Sequence, residues 1–406
     1  MRVLLVTNNY QITGGAEVFA HEIARVLKNL GHDVAFFCAA SESSQTAPFG
    51  HLFPATVDYK GGPLLGRMLR IKGLIYSSVA KKAMEEMIYQ FRPDLVHAFA
   101  IYNGLTPSVL EACREKGIPV VMSCNDYKHI CPNYKLFHHH RTCEECKGRR
   151  FHRAVVNHCC KDSLVISVAS SIEAYVHEWM NLYRRNVHTF LFASNFMLEK
   201  TSEFWKGASF RTAILRNPFD SPSHACRHDQ GEYFLYFGRL IDEKGVDLLL
   251  KAMEHVPEAH LKIVGSGPDE IRLREQVRSR GHGSVEFLGA LWGSSLDEVL
   301  QGCRAVVVPS LWHENFPYVI LQAFAAGKAV IGSRRGGIPE LIEDGKSGLL
   351  YDAADDHALA DALTALWSDP VRAVGMGRAA KAWCDQEFND ETFGRALMTR
   401  YEEVLS

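Results

Sequence analysis

The chain reads as an α/β protein of about two domains, each built on an open parallel sheet. Three observations predict this. The 406 residues are enough for two sizeable cores. Short apolar runs such as Arg2–Thr7 and Ala305–Pro309 lack polar alternation, as strands buried on both faces do. Stretches that favour helix follow such runs, so strand and helix alternate along the chain.

Composition excludes several classes. Apolar content of 47% and charged content of 23% are those of a soluble globular protein. A formal net charge of −2 gives no support for nucleic acid as a partner. The opening MRVLLVTNN is itself a strand, not a secretory leader, and no apolar run is long enough to span a bilayer. A cytoplasmic location is expected, and the eleven cysteines are then thiols or metal ligands before they are disulfides.

In the first half, Arg2–Thr7 is followed by Thr13-Gly14-Gly15-Ala16-Glu17, which opens a helix that Gly31 ends. Gly14 and Gly15 lack side chains at the strand tip, where a backbone can approach a phosphate or sugar. The turn is not the dinucleotide G-x-G-x-x-G, so a nicotinamide or flavin site is unsupported. Further strands are expected at Asp33–Cys38, Asp94–Phe99, Val120–Ser123 and Leu164–Val168. Leu64–Lys82 carries Arg67, Arg70, Lys72, Lys81 and Lys82 with no acidic residue. That pattern suits a helix lying on an anionic membrane, or simply a solvated basic face.

An insertion follows Asn125–Asp126. Its cysteines, Cys131, Cys143, Cys146 and Cys159, have the form C-x11-C-x2-C-x12-C. This allows a structural zinc held by four thiolates, with His138, His139, His140 or His158 able to replace one ligand. Reduced thiols in a long loop are the alternative. From Cys131 to Asp162 there are seven Lys/Arg against three Asp/Glu, a basic loop able to touch an anionic acceptor.

The second half begins after the turn Leu215–Asp220. A strand at Tyr233–Gly238 leads into Gly238-Arg239-Leu-Ile-Asp-Glu-Lys244-Gly245, where two cations can hold a diphosphate, arginine by paired hydrogen bonds and lysine as a point charge. Leu261–Val264 leads into Gly265-Ser-Gly267-Pro268, and Val285–Gly289 into the loop Ala290–Ser294. Ala305–Pro309 leads into a loop with one carboxylate, Glu314, then a helix over Tyr318–Ala326 with Pro317 in its first turn and Gly327 at its end. Pro317 has no N–H, so the free donors facing an anion would be those of Tyr318 and Val319. Lys328–Ser333 is the next strand, and amphipathic helices are expected over Ala358–Ser406.

Seven residues separate Glu314 from Gln322. Together with the Arg239–Lys244 string and the Gly265–Pro268 turn, this stretch resembles the donor-binding signature of the GT4 retaining glycosyltransferases, whose second glutamate is here glutamine. The resemblance spans nearly the whole chain and implies the GT-B fold, two Rossmann-like doubly wound domains facing a central cleft. It implies an acceptor-binding domain over 1–215 with the Cys-rich insertion at 131–160, a nucleotide-sugar domain over 216–385, and a last helix, 386–406, crossing back to the N-terminal domain.

The resemblance also assigns roles. Arg239, Lys244 and the amides of Tyr318 and Val319 would take the donor diphosphate, and Glu314 a donor-sugar hydroxyl. Gln322 would face the ribose, Leu291 the base, and Gly14, Gly15, Gly265, Gly267, Phe316 and Pro317 would line the donor site. Asn125–Asp126 stands where the family has a histidine–aspartate pair. Asparagine can hydrogen-bond a sugar but cannot carry a proton. A similar cysteine-bearing loop occurs in a subset of the family, which adds to the zinc reading. The implied activity is transfer of a sugar with retention from a nucleotide diphosphate sugar, UDP-glucose by family frequency, to a saccharide or lipid-linked acceptor in polysaccharide assembly. No metal or other cofactor is required for that step, and peripheral contact with the inner membrane face would suit a lipid-linked acceptor. Two other readings are a degenerate donor-binding protein and a sugar-nucleotide epimerase on the same fold.

Overall fold

The computed structural model describes residues 1–12, 14–41, 44, 47–55, 73, 75–102, 104–281, 283–355 and 357–406. Its strands are β1 Arg2–Val6, β2 Asp33–Phe37, β3 Leu95–Ala98, β4 Val120–Cys124, β5 Phe137–His138, β6 Arg141–Thr142, β7 Thr189–Phe192, β8 Thr212–Ile214, β9 Phe234–Phe237, β10 Leu261–Val264, β11 Val285–Gly289, β12 Ala305–Val308, β13 Ala329–Ser333 and β14 Gly348–Tyr351. The α-helices are α1 Gly15–Asn29, α2 Ser78–Phe91, α3 Ser108–Glu115, α4 His152–Val156, α5 Leu164–Trp179, α6 Asn195–Phe204, α7 Val246–Met253, α8 Glu270–Arg280, α9 Ser294–Gly302, α10 Tyr318–Ala325, α11 Ile338–Leu341, α12 Ala358–Ser368, α13 Pro370–Glu387 and α14 Asp390–Leu405.

The chain forms two compact units. The first comprises Met1–Leu136, Glu144–Pro218 and Phe393–Ser406, and the second Phe137–Cys143 and Phe219–Thr392. The first carries a six-stranded sheet of order β2-β1-β3-β4-β7-β8, with every pairing parallel. Its central strands are buried throughout: Val3–Val6, Leu95–Ala98 and Val120–Cys124 expose almost nothing. The last helix belongs to this unit. Tyr401, fully buried, hydrogen-bonds His97 Nδ1 at 2.8 Å, and His97 Nε2 meets Ser123 Oγ at 2.8 Å. Burial pushes the His97 imidazole down to about 3, so it is neutral at working pH.

The second unit carries a six-stranded parallel sheet of order β11-β10-β9-β12-β13-β14. The strand order reverses between β9 and β12. Such a reversal leaves a crevice beyond the carboxyl ends of the two strands, where open α/β sheets take ligands. The loops after β9 and β12 are those of Arg239–Lys244 and of Glu314. Topology alone thus brings the two strings together.

One expected strand is corrected. Leu164–Val168 is not a strand but the start of α5, and the next sheet position is filled by β7. Ser163 caps this helix by accepting from the Ile166 N–H at 3.4 Å. The branched residues here favour a strand locally, but Leu164, Val165, Ile166 and Val168 face solvent while Ser167 is buried. A central strand would bury all five. Most of the basic stretch 64–82, including Arg67, Arg70 and Lys72, lies outside the described residues. Lys81 stands in α2 and pairs with Glu111 and Glu115. Among the described residues no helix is long and apolar enough to cross a membrane.

Candidate functional site

The centre of the site is an ion pair. Lys244 closes a short 3-10 turn, Asp242–Lys244, after β9, and its Nζ lies 2.6 Å from Glu314 Oε1 in the loop after β12. Ser310 Oγ donates to the same carboxylate oxygen at 2.7 Å. Glu314 is buried, which alone would raise its pKa. The Lys244 ammonium outweighs this, and hydrogen bonds from Lys244, Ser310 and Trp312 assist, so the carboxyl is held below its usual range. It is therefore an anion within a cradle of donors, suited to accepting a sugar hydroxyl.

The loops are sewn to one another by backbone. Leu311 N–H donates to Glu243 O at 2.9 Å, and Ser333 Oγ donates to Ser310 O at 2.7 Å. Gly337 N–H donates to Glu314 O at 2.7 Å. Leu240 N–H donates to Ser266 O at 2.9 Å, and Gly238 N–H to Val264 O at 3.0 Å. Gly265 and Gly267 serve this contact. A Cβ on Gly265 would lie 1.8 Å from Gly238 O, and one on Gly267 would lie 2.2 Å from Leu240 O. Both positions are empty because the Arg239 loop packs there, a structural demand that the sequence motif alone does not reveal.

Arg239 is exposed, and its carbonyl accepts from Tyr236 Oη at 2.7 Å. Burial pushes the Tyr236 phenol far up. The Glu314 charge adds to this and Arg239 opposes it, so both charges act on one hydroxyl. Pro317 caps α10, which opens at Tyr318 and Val319, beside this pair in sequence. Phe316 is buried and meets the Phe388 ring at 5.8 Å, so it anchors the loop. Gln322, half-buried, stands one turn into α10. Leu291 follows the sheet-edge strand β11, two strands away from the reversal. Ser310, Trp312 and Gly336 escaped the sequence reading as site residues. Ser310 sits at a strand tip four residues before the glutamate, a spacing that could have signalled it.

Other expected residues belong to the first unit. Gly14 precedes α1, and a side chain at Gly15 would meet nothing within 4 Å, so packing does not dictate a glycine at Gly15. Glu17 is buried beside them and accepts from Asn9 Nδ2 at 3.1 Å. Asn125 and Asp126 follow β4 and line a small cavity with Tyr102, Met122, Lys128 and Tyr183. Burial raises the Asp126 carboxyl, against hydrogen bonds from Tyr102 Oη at 2.7 Å and Lys128 N–H at 2.9 Å. Asn125 Oδ1 is buried with no partner among the described residues.

Three of the four expected cysteines, Cys131, Cys146 and Cys159, lie near one another. Among the described residues no group of three His, Cys, Asp or Glu side chains able to hold a metal ion is found, Cys131, Cys143, Cys146 and Cys159 included. Cys159 hydrogen-bonds Cys160 and feels Cys131 and Cys146, while Cys143 stands at the end of the Phe137–Cys143 segment grouped with the second unit.

Comparison with known proteins locates these features. The family described as Glycosyl transferases group 1 matches residues 224–383, and Glycosyltransferase Family 4 matches residues 13–190. Alpha-maltose-1-phosphate synthase of Mycolicibacterium smegmatis is 32% identical over 183 residues, 42% of this chain and 47% of that protein. The chain spans roughly half the length of the first curated relatives it matches. Sucrose-phosphate synthase from Thermosynechococcus elongatus superposes with a TM-score of 0.72 at 18% identity, over 99% of this chain and 98% of that one. Anabaena HepE, solved with UDP-glucose, superposes at 0.67 and 19% identity, over 99% of this chain and all of that one. The fold is that of GT-B glycosyltransferases.

Proposed function

Because the chain belongs to the group 1 glycosyl transferases with a family 4 N-terminal half, we propose that it moves a sugar, with retention, from a nucleotide diphosphate sugar to a saccharide or lipid-linked acceptor. The observation that carries this is the Lys244–Glu314 ion pair at the strand reversal of the second sheet, with Arg239 on the same loop as Lys244. Breaking the anomeric C–O bond leaves a diphosphate anion. Arg239, Lys244 and the first amides of α10 stabilise it as charge develops, from groups already in place. Glu314 accepts from a donor-sugar hydroxyl and orients the ring. The departing phosphate oxygen takes the acceptor proton, so this step asks no metal of the protein. The acceptor is assigned to the first unit, where Asn125 and Asp126 line a small cavity. UDP-glucose is the donor we favour, supported by the fold shared with a protein solved in its presence.

Calorimetric titration with UDP-glucose, UDP-GlcNAc and GDP-mannose tests the reading. One donor is expected to bind, and Arg239→Ala to weaken it by about 2 kcal/mol, roughly thirtyfold, as loss of a charge-assisted hydrogen-bond pair predicts. Unchanged affinity in the variant would remove Arg239 from the site. Gln322→Glu is expected to tighten the same donor severalfold, because a carboxylate accepts ribose hydroxyls more strongly than an amide does. No gain would take Gln322 off the ribose. Asp126→Ala is expected to slow transfer while leaving donor affinity within about twofold. Donor bound with no transfer to any acceptor would instead favour the degenerate reading, which Asn125 and Gln322 motivate.

A further inference from the structure

Helix α5, Leu164–Trp179, is amphipathic in the wrong sense for a helix facing water. Its buried positions are Ser167, Ser171 and His177. Its exposed positions are apolar, among them Val165 at 75%, Val168, Ile172, Tyr175 and Trp179 at 85%. These five recur at alternating spacings of three and four residues, which puts them in one stripe along the helix. The inward polar groups are satisfied. Ser167 Oγ accepts from the Cys160 N–H at 3.1 Å, and His177 Nε2 meets Ile75 O at 2.6 Å. An exposed apolar stripe of this kind, with polar residues on the inner face, marks an interaction surface.

The charge beside the stripe says what that is. Residues 147–161 hold five Lys/Arg and no Asp or Glu. They adjoin the stripe directly: the Tyr175 hydroxyl lies 3.2 Å from the His152 backbone N–H, which donates to it, and Arg149 pairs with Glu178, next to Trp179. Arg153 and Lys161 are exposed. The two acidic residues of α5 are engaged, Glu173 with Lys128 and Glu178 with Arg184 and Arg149, which leaves Asp162 as the exposed acid at this end of the helix. A second copy would bring the same cations against these. An anionic surface would complement them. Tyrosine and tryptophan at one end of such a stripe suit the headgroup level of a bilayer, and a 16-residue helix, about 24 Å long, is proportioned to lie in that plane.

We propose that the outer face of α5, with the basic segment 147–161, docks the first unit on an anionic lipid membrane. The surface is independent of the donor site, and so is its test. The full chain is floated with vesicles of phosphatidylcholine containing phosphatidylglycerol, and with phosphatidylcholine alone, at low and raised salt. Binding is expected to the anionic vesicles and to fall with salt. Val165→Ser combined with Trp179→Ser is expected to reduce partitioning at least about tenfold, since binding strength scales with the apolar area buried in the membrane. Arg153→Glu combined with Lys161→Glu is expected to reduce it similarly and to flatten the salt dependence. Donor titration should be unchanged in both. Absence of anionic-vesicle binding at low salt, or equal binding by the variants, overturns the proposal. So does a concentration-dependent dimer that the Val165/Trp179 variant abolishes, which would assign the stripe to a second copy.

Discussion

Lys244→Ala is expected to cost about 3 kcal/mol of stability and to abolish measurable transfer. Removing one partner of a buried, hydrogen-bonded ion pair leaves the other charge uncompensated. Glu314 would keep the hydrogen bonds of Ser310 and Trp312 while remaining buried. The adjusted cost is at the low end of the usual range because Lys244 is about one-fifth exposed. Adding Glu314→Gln to Lys244→Ala should recover most of the lost stability, since no buried charge then remains, but none of the activity. Urea denaturation of the two single variants and the double variant measures the first statement. A double variant no more stable than Lys244→Ala would show that the pair is not what holds these loops.

The same carboxylate sets an acid limit. Its folded-state pKa lies below the unfolded value, so the stabilisation from the pair is fully present above the ordinary carboxylate range. It is lost as pH falls through the depressed folded value. Stability of the wild-type chain should therefore drop below about pH 4.5 more steeply than that of Lys244→Ala/Glu314→Gln.

Gly336→Ala is the second large effect, with an expected loss of more than about 3 kcal/mol. Gly336 has φ +59, and a Cβ there would lie 2.1 Å from Glu314 O and 2.6 Å from Glu314 N. Neither atom is a flexible side-chain end. The substitution must push the Glu314 backbone away, break the Gly337–Glu314 hydrogen bond, or both. Gly281→Ala separates the two causes. Its φ is +68, but nothing lies within 4 Å, so it bears the conformational strain without the collision. It is expected to cost about 1 kcal/mol and to leave donor binding intact. If Gly336→Ala costs no more than Gly281→Ala and binds donor normally, the close approach does not matter to the site.

Much of this was legible in the residues. The all-apolar strands, the glycine-rich turns after them and the alternation with helices come from local chemistry, since a strand buried on both faces can contain little else. The family resemblance rested on the Arg239–Lys244 string, the Gly265–Pro268 turn and the Glu314–Gln322 stretch at their spacings. Other features needed the folded chain. Leu164–Val168 has strand-like residues, but Ser163 caps a helix there and the sheet position goes to Thr189–Phe192. Cys131 and Cys146 reach Cys159 and Cys160 only through the fold of the insertion. That Lys244 is neutralised by Glu314, 70 residues on, follows from the strand order β9-β12 and from no local pattern. Periodicity and turn chemistry act over a few residues and can be read directly from the chain. Which carboxylate meets which ammonium is decided by sheet order, and only the tertiary structure sets that.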